Sequence, residues 1–392
     1  METKITSPRF YISYNRIWGI LASVFIILNW LDKTNISVQY LGDFSLGLFA
    51  VTLAGYSILS RRLRFQVPVA IVIIVSLIGI MIIIYSFGEV FNQIKGIKNV
   101  LGLIIIALYF VGAAYVLSNK EIITILATLW VCLAVSNLTL WIVNGFEYPF
   151  SGIFSHKNTL GSVVAFGMFF ILSSRAISRS KWWWNLWIVI NLMILLVSGS
   201  RNSWLVIVIS IIAYYFWPIF SAKRWLFSLV FIMILIGSIG LVFFYVELSE
   251  LHQFTQLQAY VLKYTGQNLF TGRQVFWPIL VSAIQRQPWG YGPGASLEHF
   301  YDTTFSSHNL YLQVMLQAGI VSLVVLGVTL WSIWLSLYNK RKDTIVRLAG
   351  SFLLGALVHE AFEVSLTQNN LTVGIIIWSI IAIGVGRASL TR

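Results

Sequence analysis

Charge is scarce in this chain. Asp, Glu, Lys and Arg supply 10% of its 392 residues, where a soluble globular domain carries roughly 25%. Cysteine is scarcer still: Cys132 stands alone, inside an apolar run. One cysteine excludes an intramolecular disulfide, a Cys-rich zinc site and an iron–sulfur cluster. The five histidines, His156, His252, His299, His308 and His359, show no HExxH or similar ligand spacing, so no metal site is expected and no cofactor is implied. No GxxxxGK[ST] occurs, which removes an ATP-driven transporter contained in one chain, and no GxSxG points to a serine hydrolase. The N-terminal stretch lacks a signal-peptide cleavage pattern, and the apolar run at 18–30 reads as a retained first span.

What the chain has in excess is apolar surface. Hydrophobic residues make up 58% and the mean hydropathy is +0.84. One water-soluble core of this size cannot bury that much, so the surplus must face lipid. Reading for runs of roughly 17–25 apolar residues gives twelve candidate spans, at 17–31, 41–60, 67–86, 99–117, 122–143, 158–176, 182–199, 203–220, 225–246, 306–337, 346–362 and 370–386. Helix is the state that satisfies the backbone in hydrocarbon. The expected fold is therefore all-α: a single integral membrane domain over 1–392, with one large hydrophilic loop, 247–305, between the ninth and tenth spans.

The net charge of +13 invites a nucleic-acid reading, but the basic residues lie in short clusters between apolar runs, not along one face. Orientation in a membrane explains them. With both termini in the cytoplasm, the inner segments hold Lys4, Arg9, Arg16, Arg61, Arg62, Arg64, Lys120, Arg175, Arg179, Lys181, Lys223, Arg224, Lys340, Arg341, Lys342, Arg347, Arg387 and Arg392. That is 18 of the 26 basic residues, while 10 of the 13 acidic ones fall outside. The positive-inside rule predicts this skew. It also puts all five histidines outside or at the outer ends of spans.

The loop 247–305 holds Pro278, Pro288 and Pro293. Leu248, Leu251, Phe254, Leu257, Val261 and Tyr264 recur at helical intervals, so an amphipathic helix is expected. The stretch 271–281 is apolar enough to lie in the membrane interface, a depth that suits Trp277 and Trp289. Gly290-Tyr-Gly-Pro-Gly294 reads as a tight turn. A loop this long and aromatic reads as functional.

The polar residues at the outer ends of spans carry the chemistry. His308 sits where the loop re-enters the membrane and starts a helix, which Ser306 or Ser307 could cap. A histidine at a water-accessible helix start can take a proton from a hydroxyl, or can simply bond its neighbours. Arg201, in the turn Ser198-Gly-Ser-Arg201, is the only charge between Lys181 and Lys223. A lone arginine at that depth needs a partner: a phosphate gripped bidentately, or lipid headgroups reached by snorkelling. Arg273, after Gly272, faces the same choice. His156, Lys157 and Asn158 open a span and could bind an anionic or sugar group or sit among headgroups. His359, Glu360 and Glu363 could form a buried acid–base pair or help a substrate site.

These segments, in this order, resemble the O-antigen ligase/polymerase superfamily of membrane glycosyltransferases. The resemblance rests on Ser198-Gly-Ser-Arg201, Gly272-Arg273 in the large loop, and His308-Asn309-x-Tyr311-Leu312 followed by Gly319. It is clearest over 150–330, and Gly152-Ile-Phe-Ser-His-Lys-Asn158 is similar to the exopolysaccharide polymerase branch. It implies a donor glycan on undecaprenyl diphosphate, with Arg201 and Arg273 holding the diphosphate and His308 activating the acceptor hydroxyl. His156, Lys157, Asn158 and Asn309 would be substrate-binding, and Arg286 is the alternative to Arg273. It also implies a bacterial inner (cytoplasmic) membrane protein whose site faces the periplasm or exterior, beside membrane lipids. Its partners would be the lipid-linked oligosaccharide donor, an acceptor, and a chain-length regulator or flippase; nucleic acid is not among them. Polymerisation of O-antigen, capsule or exopolysaccharide is the first reading. A ligase moving the glycan to lipid A core or protein is the second. A flippase or secondary transporter is the competitor from another class, but such a protein places ionisable groups near the midplane, and here they gather at the outer ends.

Overall fold

A computed structural model describes residues 14–31, 33–34, 41–59, 93–265, 273–303, 306–368 and 371–389. These form thirteen α-helices: α1 Tyr14–Leu31, α2 Leu41–Leu59, α3 Gln93–Val116, α4 Lys120–Val143, α5 Lys157–Ile177, α6 Lys181–Ser198, α7 Arg201–Phe220, α8 Arg224–Glu250, α9 His252–Thr265, α10 Arg273–Arg286, α11 Leu310–Leu337, α12 Thr344–His359 and α13 Leu371–Ser389. Among the described residues there is no strand, only an isolated bridge between Thr34 and Phe154. The all-helical expectation holds. Among the described residues eight helices are long and apolar enough to cross a membrane: α3 to α8, α11 and α13, while α1, α2 and α12 carry shorter apolar stretches. The expected span at 67–86 and the basic triplet Arg61, Arg62 and Arg64 lie outside the described residues, as does Gly272.

Helices α5, α12 and α13 form the centre. Within their apolar windows 78% of α5 and 89% of α13 is buried, against 22% of α8, which is left for lipid. Small residues let the central helices touch: a Cβ on Gly161 would collide with Ser200, and one on Gly384 would lie 2.6 Å from Ala349 Cβ. The α12 helix has 16 residues and rises about 24 Å, short of the ~30 Å hydrocarbon core. It can be short because protein surrounds it and continues past its end.

The charges sort to two ends of the bundle. At one end Arg16 pairs with Glu121 at 2.7 Å and Arg387 with Asp343 at 2.7 Å. At the other, Lys95 pairs with Glu298 at 2.6 Å, Asn99 donates to Pro293 O and Asn202 to His359 O. The second end carries the loops discussed below.

The tenth expected span, 306–337, is not one continuous helix. At Gly319 the backbone turns to φ 76°, ψ 178°, a region essentially reserved for glycine. The break frees carbonyls on the preceding turn, and the glycine turn fills the gap. Tyr291 N donates to Leu316 O, Gly292 N to Gln317 O, and Ile320 N to Pro288 O, at 2.8, 2.9 and 3.0 Å. The turn 290–294 thus completes the ladder of a discontinuous helix. A Cβ on Gly319 would sit 2.6 Å from Pro288 O. Gly319→Ala combines that clash with a forbidden dihedral of about 1–3 kcal/mol. The expected result is a marked fall in melting temperature and in yield of folded protein, read by size-exclusion fluorescence after a heat step.

The loop helix α10 turns its apolar stripe to protein. Phe276, Trp277, Leu280, Ala283 and Ile284 form a helical stripe that closes on Val242, Leu312, Met315 and Leu316. Trp277 is completely buried, whereas Trp289 is 72% exposed. The stripe satisfies itself against α8 and α11, so protein covers it.

Candidate active site

The last carbonyls of α12 have no helical partner, and three other helices supply donors to that region. Tyr311 OH donates to Leu357 O at 2.7 Å, and Leu310 N to Glu360 O at 2.9 Å. Asn309 Nδ2 donates to Ala361 O at 2.7 Å, Asn202 Nδ2 to His359 O at 3.4 Å and Arg273 Nη2 to Phe362 O at 2.9 Å. The turn after α12 therefore gathers the starts of α7, α10 and α11 around it.

His308 is held on both sides. Its N–H donates to Ser306 Oγ at 3.2 Å. The preceding carbonyl, Ser307 O, accepts from Trp277 Nε1 at 2.9 Å. The following residue, Asn309, caps α11 by accepting from Leu312 N at 2.8 Å. Neither serine caps this helix, contrary to expectation: the main chain turns at His308 with φ 46°, so Asn309 reaches the cap position first. Asn309 is fully buried and both ends of its amide are engaged. Its geometry suits positioning His308.

His308 Nδ1 lies 3.4 Å from Glu363 Oε2, at the long end for a hydrogen bond, with the imidazole side chain 35% exposed and the carboxylate 18%. Burial would push the Glu363 carboxyl up, but the hydrogen bond and charge of His308, then the charges of His359 and Arg273, carry it below the usual carboxylate range. A carboxyl depressed in the folded state adds stability above its unfolded value, about 4.3, and loses it as pH falls through the lowered value. The melting-temperature advantage of the wild type over Glu363→Gln should accordingly shrink between about pH 6 and about pH 3.

Arg273 stacks against Phe362 and Trp277, with its guanidinium 5.5 and 6.0 Å from the two ring centroids. Burial lowers its pKa, opposed by Glu363 and Tyr245 and assisted by the repulsion of Arg201. Arg201, exposed at the first turn of α7, is thus within electrostatic reach of Arg273, and of Tyr245. Two guanidiniums held this way repel each other, and an anion between them turns that cost into attraction.

His359 and Glu360 form a separate, buried arrangement. His359 Nδ1 meets Glu360 Oε1 at 3.2 Å and its Nε2 meets Ser162 Oγ at 3.0 Å. Glu360 Oε2 accepts from Ser365 N and Leu366 N at 2.8 and 3.1 Å. Ser162, Ser203 and Ser200 continue the chain to the cap of α7. Every polar atom of the pair serves packing of the α12 turn.

His156, Lys157 and Asn158 stand at the start of α5, with His156 and Asn158 exposed. No hydrogen bond or ion pair joins their side chains to Arg201, Arg273 or His308 among the described residues. Arg286 ends α10, exposed and about 20 Å along the helix from Arg273. The structure thus gathers Arg201, Arg273 and His308, and leaves Arg286 apart. Glu363 was named from the sequence beside His359 and Glu360, but its pairing with His308 was not. The available signal was a carboxylate just beyond the outer end of a span, where an ionisable group needs a reason.

Eight membrane-length helices with an ionisable cluster at one end define a multi-pass helical membrane protein. Residues 186–327, 142 of the 392, match the family model for O-antigen ligase. Over that stretch the chain is similar to the O-antigen ligase family. The matched stretch contains Arg201, Arg273 and His308 and ends before Glu363. Comparison with curated proteins gives no match, and comparison with solved structures gives none.

Proposed function

We propose that this protein polymerises a surface polysaccharide on the extracytoplasmic face of the bacterial inner membrane, using an undecaprenyl-diphosphate-linked glycan as donor. The observation that carries the reading is the contact of His308 with Glu363 beside the paired guanidiniums of Arg201 and Arg273. In this reading His308 Nε2 accepts the proton of an acceptor hydroxyl. The oxygen attacks the anomeric carbon as the bond from that carbon to the diphosphate breaks, with inversion. The electron pair leaves on undecaprenyl diphosphate. Glu363 at Nδ1 orients the ring and stabilises the imidazolium that forms. The arginines offset the charge that grows on the leaving diphosphate, so neither ATP nor a metal takes part.

The polymerase reading is tested in a deletion strain by a gel of its surface glycans. Single repeat units are the expected result. Long chains retained on the carrier lipid would transfer the assignment to a ligase acting on lipid A core or protein.

A further inference from the structure

The end of the bundle that holds the Arg16–Glu121 and Arg387–Asp343 pairs is the one opposite the candidate active site. There a cleft of about 250 Å³ opens between α6 and α7, with α5 and α12 as its back wall. We infer that this cleft binds an anionic phospholipid, with one acyl chain in the cleft and the phosphate at its mouth, on Arg175. The inference is independent of the transferase reading above.

The walls are apolar: Leu172, Ile188, Leu192, Leu348 and Phe352 form most of them. Ile211 and Tyr215, on the α7 rim, are exposed to the lipid side. An apolar gap open to hydrocarbon attracts no water, and its walls lack contact atoms until a chain supplies them. The depth sets the length of that chain. From Thr344 at the mouth to Phe352 at the foot, α12 rises about 12 Å. One leaflet supplies about half of the ~30 Å hydrocarbon core, so the cleft reaches through most of one leaflet. An acyl chain fits that depth, and the far longer undecaprenyl tail overruns it.

The mouth is cationic. Arg175 lines it, and Arg179 and Lys181 are exposed on the turn into α6. Arg347 lies over Tyr214, another lining residue, with its guanidinium 3.8 Å from the ring centroid. Neutral acceptors hold both guanidiniums: Arg175 Nε donates to Asn185 Oδ1 at 2.5 Å, and Arg347 Nε to Tyr214 O at 2.8 Å. Neither arginine pairs with a carboxylate among the described residues. The sequence has no Asp or Glu between Glu147 and Glu247, so α5, α6 and α7 offer none. Asp343, the acid beside the mouth, is engaged by Arg387 at 2.7 Å and by the first turn of α12. Positive charge that the protein does not cancel, at the mouth of an apolar cleft, matches a phosphate diester joined to acyl chains. A zwitterionic headgroup brings its own cation to the same place and gains less.

The test uses the purified full chain, delipidated in a neutral detergent. It is titrated with dioleoylphosphatidylglycerol and with dioleoylphosphatidylethanolamine, and bound lipid is read by native mass spectrometry. The anionic lipid should bind at least tenfold more tightly. Arg175→Gln should lose about fivefold of that affinity. Leu192→Trp, which fills the cleft, should lose at least tenfold. The surface variant Arg179→Gln/Lys181→Gln repeats the charge test without removing a helix contact and should lose about as much as Arg175→Gln. His308→Ala should bind as the wild type does. Equal binding of the two lipids would overturn the proposal. A loss in the charge variants alone would leave a basic surface with no chain site, and a loss in Leu192→Trp alone would leave a groove with no headgroup preference; either overturns it. Displacement of the lipid by glycerol 3-phosphate would make a free phosphate the ligand, and displacement by equimolar undecaprenyl phosphate would give the cleft to the carrier lipid. Both results contradict the proposal, and unchanged binding in their presence supports it.

Discussion

Replacing His308 with alanine is expected to abolish glycan transfer while the protein still inserts, folds and binds donor. A positioned general base contributes about 10²–10⁴-fold, and the residual rate would fall below detection in a gel of extended glycan. The case for His308 is geometric. Its main chain is fixed by Ser306, by Trp277 through Ser307 and by the Asn309 cap, while its ring is 35% exposed and touches one carboxylate. Glu363→Gln should reduce turnover and leave donor affinity in place, since the amide can still orient the ring but cannot balance its charge. His359→Ala should behave differently. That ring is buried in a closed hydrogen-bond chain, so its loss should lower the melting temperature in proportion to any loss of rate. A kinetic assay with purified protein and a lipid-diphosphate donor, run beside a thermal melt, separates the two classes.

The second large effect is expected at the arginines. Arg273→Ala and Arg201→Ala should each cost about 10²–10³-fold in turnover, the scale found when one preorganised donor to a developing anion is removed. Arg273→Lys should rescue poorly. Its guanidinium already donates to Phe362 O while lying against Phe362 and Trp277, and an ammonium cannot keep that planar contact and grip a phosphate bidentately. Arg286→Ala should leave the rate unchanged, because that residue ends the other side of α10. A loss at Arg286 equal to that at Arg273 would move the diphosphate to the far end of the loop.

The all-helical fold was readable from the sequence because lipid enforces a simple rule: each apolar run must satisfy its own backbone. His308, Arg201 and Arg273 stood out as candidates because an ionisable group at the outer end of a span or in the long loop demands a reason. The partnership of His308 with Glu363 was not, since the two are 55 residues apart and meet only because the end of α12 collects donors from three other helices. The break at Gly319 was hidden as well. A glycine in an apolar run looks like a packing device, and only the docked turn at 290–294 reveals the discontinuity. The burial of α10 was missed because an amphipathic stripe reads the same whether lipid headgroups or protein will cover it.

The most direct measurement is a mass balance on purified protein given only an undecaprenyl-diphosphate-linked repeat unit. The account predicts a ladder of longer glycans together with free undecaprenyl diphosphate, one released for each new linkage and each new linkage inverted at the anomeric carbon. Donor that crosses a reconstituted membrane intact, with no diphosphate released, would contradict it and make the protein a transporter.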